Sequence, residues 1–325
     1  MRLALLLALL LAPLACAQSD TAADVLDDAA APPAATPAAP PASNAEAVVE
    51  AAPPAADAAP TDPETAAAFQ RILADAARAG IAERPYGEIV QWVGEQLVGV
   101  PYVAGMLDAP ERETLVVSLT GFDCVLYIEN VLALSRMVAL GQTGYADYAA
   151  GVRALRYRGA SEPSYCARLH YFTDWIRDNQ ARGTLRDVTR EAGGEPLDKT
   201  LDFMSTHRDS YRQLASDDAY ACVQGMEASL RDLNLVYIPQ DRIAGAYAMI
   251  QPGDIIATAT SIGGLDVTHT GFAHVTTPRG GPRVGFMHAS LSSNAVKVSP
   301  DLQAYVQGVK SQVGVIVARP LDPRR

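Results

Sequence analysis

The sequence predicts an α+β domain on three observations: helical start and stop signals dominate the first two-thirds of the chain, residues 124–140 are apolar nearly all round, and short β-rich runs separated by turn residues follow Asn234. Helices first and antiparallel strands after them is the pattern of helices packed against one sheet.

The elements follow in order. Asp62 is placed to cap a helix with Pro63 at its first position; Phe69, Ile72, Leu73 and Ala76 share a face, and Gly80 ends it. A second helix follows Pro85, carries Ile89, Trp92, Val93 and Leu97, and stops at Gly99. The third, over 124–140, has no polar face and belongs in a core. Further helices are expected over 145–157, 171–179 and 217–233. Strands are expected over 255–260, 270–277, 284–287 and 315–318, with Ser299-Pro300 opening a short helix between the last two.

Arg2, the apolar run 3–11 and the small residues Ala15, Cys16 and Ala17 form an export signal. It is too short to stay in a bilayer as a spanning helix, and no later window reaches the roughly 20 apolar residues required. Two readings of its end stand open. Ala15-Cys16-Ala17 fits a signal peptidase site, whereas Leu14-Ala15-Cys16 resembles a lipobox that would lipidate Cys16, with Pro13 where such motifs usually carry Leu. Residues 17–63 hold 28 Ala plus Pro, eight acidic residues and no Lys or Arg, the composition of a disordered tether. The expected organisation is an export signal at 1–16, the tether at 17–63, and a folded domain at 64–325 with a helical insertion at about 145–233. The expected location is the periplasm, with Ala17 favouring the outer membrane if Cys16 is lipidated.

Of the net charge of −11, the folded domain carries −4, with 25 basic against 29 acidic residues. No basic face, zinc-finger spacing or Gly-rich phosphate loop appears, so nothing supports a nucleic-acid or nucleotide partner.

Chemistry points to Cys124. It opens the buried helix after Gly121-Phe122-Asp123, and a helix N-terminus favours the thiolate. On composition alone, a small apolar core residue explains it better. Downstream, His269 and His288 fall on consecutive strand signals around the turn Pro278-Arg279-Gly280-Gly281. Setting 269 opposite 288 centres that turn at 278.5 and projects both imidazoles from one face, with His274 on the other. A thiol on a helix tip facing two histidines meets the needs of nucleophile, base and orienting group. Structural hydrogen bonding is the plainer role for two strand histidines. A zinc site of Cys124, the histidines and Asp266 lacks the paired local ligands of structural sites. No metal or cofactor is expected.

Gly99-Val100-Pro101-Tyr102-Val103-Ala104-Gly105, Phe122-Asp123-Cys124 with Glu129, Pro252-Gly253-Asp254-Ile255, His269-Thr270-Gly271-Phe272-Ala273 and His288-Ala289-Ser290 together resemble, in order, the NlpC-type cell-wall cysteine peptidases. With Arg168-Leu169-His170-Tyr171-Phe172-Thr173-Asp174-Trp175-Ile176 and Tyr237-Ile238-Pro239, the chain is more similar to their N-acetylmuramoyl-L-alanine amidase-like branch, over roughly residues 86–320. The resemblance implies a papain-like fold, a Cys124-His269-His288 site and a peptidoglycan substrate. It casts Tyr102 as an oxyanion donor; core packing is the alternative. Asp123 is either a helix cap or a substrate contact.

One departure matters: NlpC peptidases usually follow the nucleophile with Ser, which helps hold a free amino group, and here Val125 follows. Glu129 is expected to meet an Arg or backbone, His170 and Trp175 to line or support a cleft, and His207 to lie in a loop. Cys166 and Cys222 are the remaining thiols, and an oxidising envelope permits their pairing. The leading expectation is hydrolysis of the muramoyl-L-alanine amide. A stem-peptide endopeptidase, a thiol acyltransferase and a non-catalytic wall-binding protein are its rivals.

Overall fold

The computed structural model describes residues 62–277 and 281–325. The export signal, Cys16 and nearly all of the expected tether lie outside the described residues, as do positions 278–280 of the hairpin turn.

Helix α1 (Pro63–Arg78) starts as the sequence dictates: the Asp62 carboxylate accepts from the N–H groups of Glu64 (3.0 Å) and Thr65 (3.1 Å), and Pro63 occupies the first position. Phe69, Ile72 and Ala76 are buried. After Gly80 come α2 (Tyr86–Glu95) and α3 (Cys124–Leu140). Asp123 caps α3 by accepting from Leu126 N–H at 2.8 Å, and Gly141 ends it at φ 65°, a left-handed conformation that suits glycine. Next are α4 (Tyr145–Arg156), α5 (Phe172–Ala181), the short α6 (Phe203–Thr206) and α7 (Asp217–Ser229).

The strands are β1 (Leu185–Asp187), β2 (Glu195–Pro196), β3 (Val236–Pro239), β4 (Ile255–Thr260), β5 (Val267–Thr276), β6 (Arg283–Ser290), β7 (Ala295–Ser299) and β8 (Gln312–Pro320). Helix α8 (Leu302–Gln307) lies between β7 and β8. The sheet order is β2-β3-β8-β4-β5-β6-β7, β1 also pairs with β8, and all described pairings are antiparallel.

Alternation along the strands separates two cores. Ile255, Ala257, Phe272, Met287, Ala289 and Ala318 pack with α1–α5, in the cluster that includes Cys124. Ile256, Ala273, Val284, Phe286 and Val317 face the other way, against Leu302 and Val306 of α8. A third cluster, built on Phe203, Met204, Leu214 and Val223, holds the inserted segment together.

Several expectations need correction. The insertion at about 145–233 is not wholly helical, because β1 and β2 join the sheet; neither has an alternating apolar pattern, so their pairing comes from the edges of β8 and β3. The change to strands therefore precedes Asn234. Ser299 closes β7 rather than opening a helix, and α8 starts at Asp301, whose carboxylate accepts from Ala304 N–H at 2.8 Å. β5 begins at Val267, ahead of the expected 270, because His269 pairs with Thr258. The hairpin register is also two residues from the expected one: Phe272 faces Met287 and His274 faces Gly285, an index sum of 559 that would set His269 opposite Ser290. An even shift conserves the face of every side chain.

Helix α3 is buried almost throughout, and two of its interior polar residues, Glu129 and Asn130, have partners on α4. Glu129 Oε2 accepts from Arg156 Nε of α4 at 2.7 Å, with both side chains 1% exposed, and Arg156 Nη1 donates to the Val116 carbonyl at 2.6 Å. Asn130 bonds the Leu126 carbonyl and the Tyr148 hydroxyl. Removing one partner of such a pair strands a buried charge. Accordingly, Arg156→Met should lower unfolding free energy by about 3–5 kcal/mol in urea melts; a loss below about 1 kcal/mol would show that the pair is not a keystone.

Candidate active site

The start of α3 is held from two directions. Phe122 N–H donates to the Pro101 carbonyl (3.1 Å) and Val103 N–H to the Phe122 carbonyl (2.8 Å), fixing the segment before Cys124 against the Tyr102 segment. From the α1 side, Thr65 Oγ1 accepts from Leu119 N–H at 3.1 Å, and Thr120 Oγ1 donates to Asp62 at 3.3 Å. Cys124 is 1% exposed.

His269 and His288 come together side chain to side chain: His269 Nε2 lies 2.7 Å from His288 Nδ1, and the rings meet edge to face with centroids 4.9 Å apart. His288 Nε2 continues to Ser299 Oγ at 3.1 Å. Phe286 stacks on His288 at 4.5 Å, and Tyr305 of α8 closes over it at 4.8 Å. Gly271 makes room, because a Cβ there would lie 2.5 Å from the Met287 carbonyl and 2.8 Å from His288 Cβ. The start of β5 is pinned by Asp266, whose carboxylate accepts from Thr173 N–H (2.8 Å), Thr173 Oγ1 (2.7 Å) and its neighbour Val267 N–H (2.8 Å). Those donors account for Asp266 as a structural anchor, and no group of three or more His, Cys, Asp or Glu among the described residues is placed to hold a metal ion.

Cys124 is tied to this pair through backbone. His288 pairs with Lys297 and Ser290 with Ala295, Ala295 bridges to Pro101, and Tyr102 bridges to Phe122, two residues before the cysteine. His274 points away from the pair and meets Glu95 of α2 at 3.0 Å.

Beside the helix start opens a cleft lined by Tyr102, Asp123, Val125, Glu129, Arg156, Tyr165, Arg168 and His170. The flanks of Cys124 line it; the two histidines do not. Arg168, 6% exposed, is held there by Asp108 at 2.6 Å and Glu113 at 3.7 Å. A disulfide between Cys166 and Cys222 joins this wall to α7. Trp175 is buried and stacks on Phe172, while His207 follows α6 and stacks on Phe203.

Electrostatics follow burial. Desolvation raises the pKa of Asp123 and of Glu129, with Arg156 drawing both back. Burial, and then the charge of Asp123, raise Tyr102 well above an ordinary phenol, so its hydroxyl keeps a proton to donate. Desolvation, then His269 and Lys297, push His288 down to about 2, which keeps it neutral.

Sequence reasoning missed Arg156, Ser299 and Tyr305. None belongs to a recognisable motif, and Ser299 before Pro300 has the local chemistry of a helix opener; only pairing to β6 brings it to His288.

Helix-start cysteine, strand-borne histidine pair and polar cleft thus lie on one α+β protein. The N-acetylmuramoyl-L-alanine amidase-like family matches residues 92–315, and the chain belongs to that family. An N-acetylmuramoyl-L-alanine amidase from Bacteroides uniformis is 31% identical over 73% of this chain and 99% of its own, with a TM-score of 0.67. A Bacteroides fragilis protein described as a candidate xylanase is 31% identical over 70% of this chain and 99% of its own, with a TM-score of 0.64. A Legionella pneumophila protein, 19% identical over 79% of this chain and 97% of its own at a TM-score of 0.56, shares the fold. No curated protein matches the chain.

Burial also makes a pH prediction. His170 Nε2 donates to the Tyr165 carbonyl at 2.8 Å, and desolvation, then Arg168, push its pKa down to about 3. An unfolded His takes its proton near pH 6.5, so the folded state binds fewer protons below that, and this contribution to stability is lost as pH falls from about 6.5 towards 3. His170→Gln should therefore flatten the decline in unfolding free energy between pH 6.5 and 5 by up to about 1.4 kcal/mol per pH unit. Parallel profiles for the two proteins would remove His170 as the cause.

Proposed function

We propose that this protein is a thiol-dependent peptidoglycan amidase of papain-like, NlpC-type architecture that cleaves the bond between the muramoyl lactyl group and L-alanine. The observation that carries the reading is the His269–His288 pair, buried and hydrogen-bonded, in a member of an amidase-like family whose chain places a cysteine at the first residue of a core helix.

In this mechanism reduced Cys124 gives its proton to His269, and the thiolate attacks the amide carbonyl. Backbone N–H groups at the start of α3 and the protonated Tyr102 hydroxyl stabilise the oxyanion. His269 returns the proton to the leaving amine, and water releases the acyl group from sulfur. The mechanism requires sulfur and imidazole to meet at the rim of the sheet, where the Tyr102 segment bridges β7 to Phe122, two residues before the nucleophile.

Two features favour this bond over others. Val125 replaces the hydroxyl that helps NlpC peptidases hold a free amino terminus, which weakens the stem-peptide endopeptidase reading. Glycosidic cleavage, the activity named for the Bacteroides fragilis relative, needs two carboxylates flanking the bond. Here Asp123 caps α3 and Glu129 is bound to Arg156.

Mass spectrometry of muropeptides incubated with the protein under reducing conditions should show separation of muramic acid from intact stem peptides. Cys124→Ala and His269→Ala should each lose at least about a thousandfold in turnover with the fold retained, His288→Ala less, and EDTA should change nothing. Full activity in folded Cys124→Ala, or EDTA inactivation reversed by zinc, would overturn the mechanism.

Export with lipidation of Cys16 completes the proposal, the acidic Ala/Pro-rich segment serving as a tether from an outer-membrane anchor. Metabolic palmitate should label the wild type and not Cys16→Ser; equal labelling of both would reject the anchor.

A further inference from the structure

The histidine pair does not end at His288. We infer that Ser299 is a positioning residue that sets the tautomer of both imidazoles, and thereby chooses which nitrogen of His269 acts as the base. The inference rests on the thiol mechanism for its kinetic consequence, but its structural content can be read without substrate.

The argument is one of donor and acceptor balance. A neutral imidazole carries one N–H and one lone pair. His269 Nε2 and His288 Nδ1 share one hydrogen bond of 2.7 Å, so only one of the two nitrogens holds the proton. If His288 carries its proton on Nε2, that N–H donates to Ser299 Oγ at 3.1 Å, and its Nδ1 accepts from His269 Nε2–H. His269 is then left with its lone pair on Nδ1, and protonation there gives an imidazolium whose Nε2–H still has an acceptor. If His288 instead carries its proton on Nδ1, it donates to His269 Nε2. His269 must then hold its own proton on Nδ1, and protonation of its remaining nitrogen would break the contact between the rings.

The first arrangement serves a general base and the second opposes it. The Ser299 hydroxyl can accept from an Nε2–H or donate to a bare Nε2, so the two forms part when His269 takes a proton: both of its nitrogens then carry N–H, His288 Nδ1 can only accept, and the His288 proton sits on Nε2 with Ser299 Oγ as its acceptor. That nitrogen is buried with the ring, which is 1% exposed, and Ser299, 8% exposed, is its hydrogen-bond partner. Position is fixed by the sheet: β6 and β7 pair with His288 opposite Lys297 and Phe286 opposite Ser299, so Ser299 lies diagonal to His288 on the same face. Phe286 and Tyr305 hold the ring from its sides and prevent it from turning away. The titratable groups around His288 are His269 of β5, Lys297 of β7 and Tyr305 of α8. The positive charge of Lys297 opposes a second charge on His288, so the pair works as one charged and one neutral ring.

The test combines a spectroscopic and a kinetic readout on the full-length protein. Selective 15N-histidine labelling separates the ring nitrogens by chemical shift. In the wild type at pH 8, His288 should carry its proton on Nε2 and His269 on Nε2. Ser299→Ala should move His288 towards the Nδ1–H form, and Ser299→Thr, which keeps the hydroxyl, should restore the wild-type pattern. With a muramoyl-peptide substrate, Ser299→Ala should lower kcat by about 10- to 100-fold with KM changed less than about twofold, and Ser299→Thr should recover to within about threefold. A wild-type His288 protonated on Nδ1 would overturn the inference, and so would a folded Ser299→Ala with unchanged tautomers. If the tautomers behave as stated and no muropeptide is cleaved, the positioning role stands and the amidase reading fails.

Discussion

The buried ion pair between Arg156 and Glu129 is the constraint on which the candidate site depends. Two charges removed from water are costly unless their geometry is good and their remaining valences are satisfied. Here Glu129 Oε1 and Arg156 Nη2 are buried without a hydrogen-bond partner, so part of that cost stands, and what the pair secures is position: Arg156 ties α4 and the Val116 segment to α3, and α3 begins at Cys124. A core helix of purely apolar side chains could slide or rotate among equivalent packings. Glu129 and Asn130, each with a specific partner on α4, leave one register for the helix and therefore one position for its first residue.

The second half of the site is governed by sheet geometry. His269 and His288 meet because two antiparallel strands bring diagonal neighbours within reach, and Gly271 leaves the space that a side chain would take. Asp266 anchors the start of β5 to the first turn of α5, so the insertion and the sheet share a fixed point three residues before the proposed base. The same insertion walls the cleft next to Cys124, with Arg168 braced by Asp108 and Glu113 and its neighbouring segment joined to α7 by the disulfide. The helix start, the histidine pair and the cleft wall are thus each supported by a different part of the core.

Much of this was written locally in the chain. Asp62-Pro63 as a helix start, Asp123 as a cap on an all-apolar helix, Gly141 as its end and the alternating strands around the histidines each act within a few residues, by capping, backbone freedom or face alternation, and such effects are readable without knowing the fold. The side that His269 and His288 share was legible for the same reason. A two-residue error in register left it unchanged, because the period of a strand is two.

Partners distant in sequence are another matter, because folding alone brings them together. Nothing near Glu129 announces Arg156, 27 residues on; nothing in Leu185–Asp187 or Glu195–Pro196 marks a strand until β8 and β3 offer edges; and Ser299, a plausible helix opener by local chemistry, becomes the neighbour of His288 through the pairing of β6 with β7. The fold class, the helix that presents Cys124 and the strand face that carries the histidines follow from local periodicity and capping, and so are readable in the chain. Which charge neutralises Glu129, which hydroxyl meets His288 and which residues wall the cleft are set by long-range packing, where a contact depends on the whole arrangement of the chain.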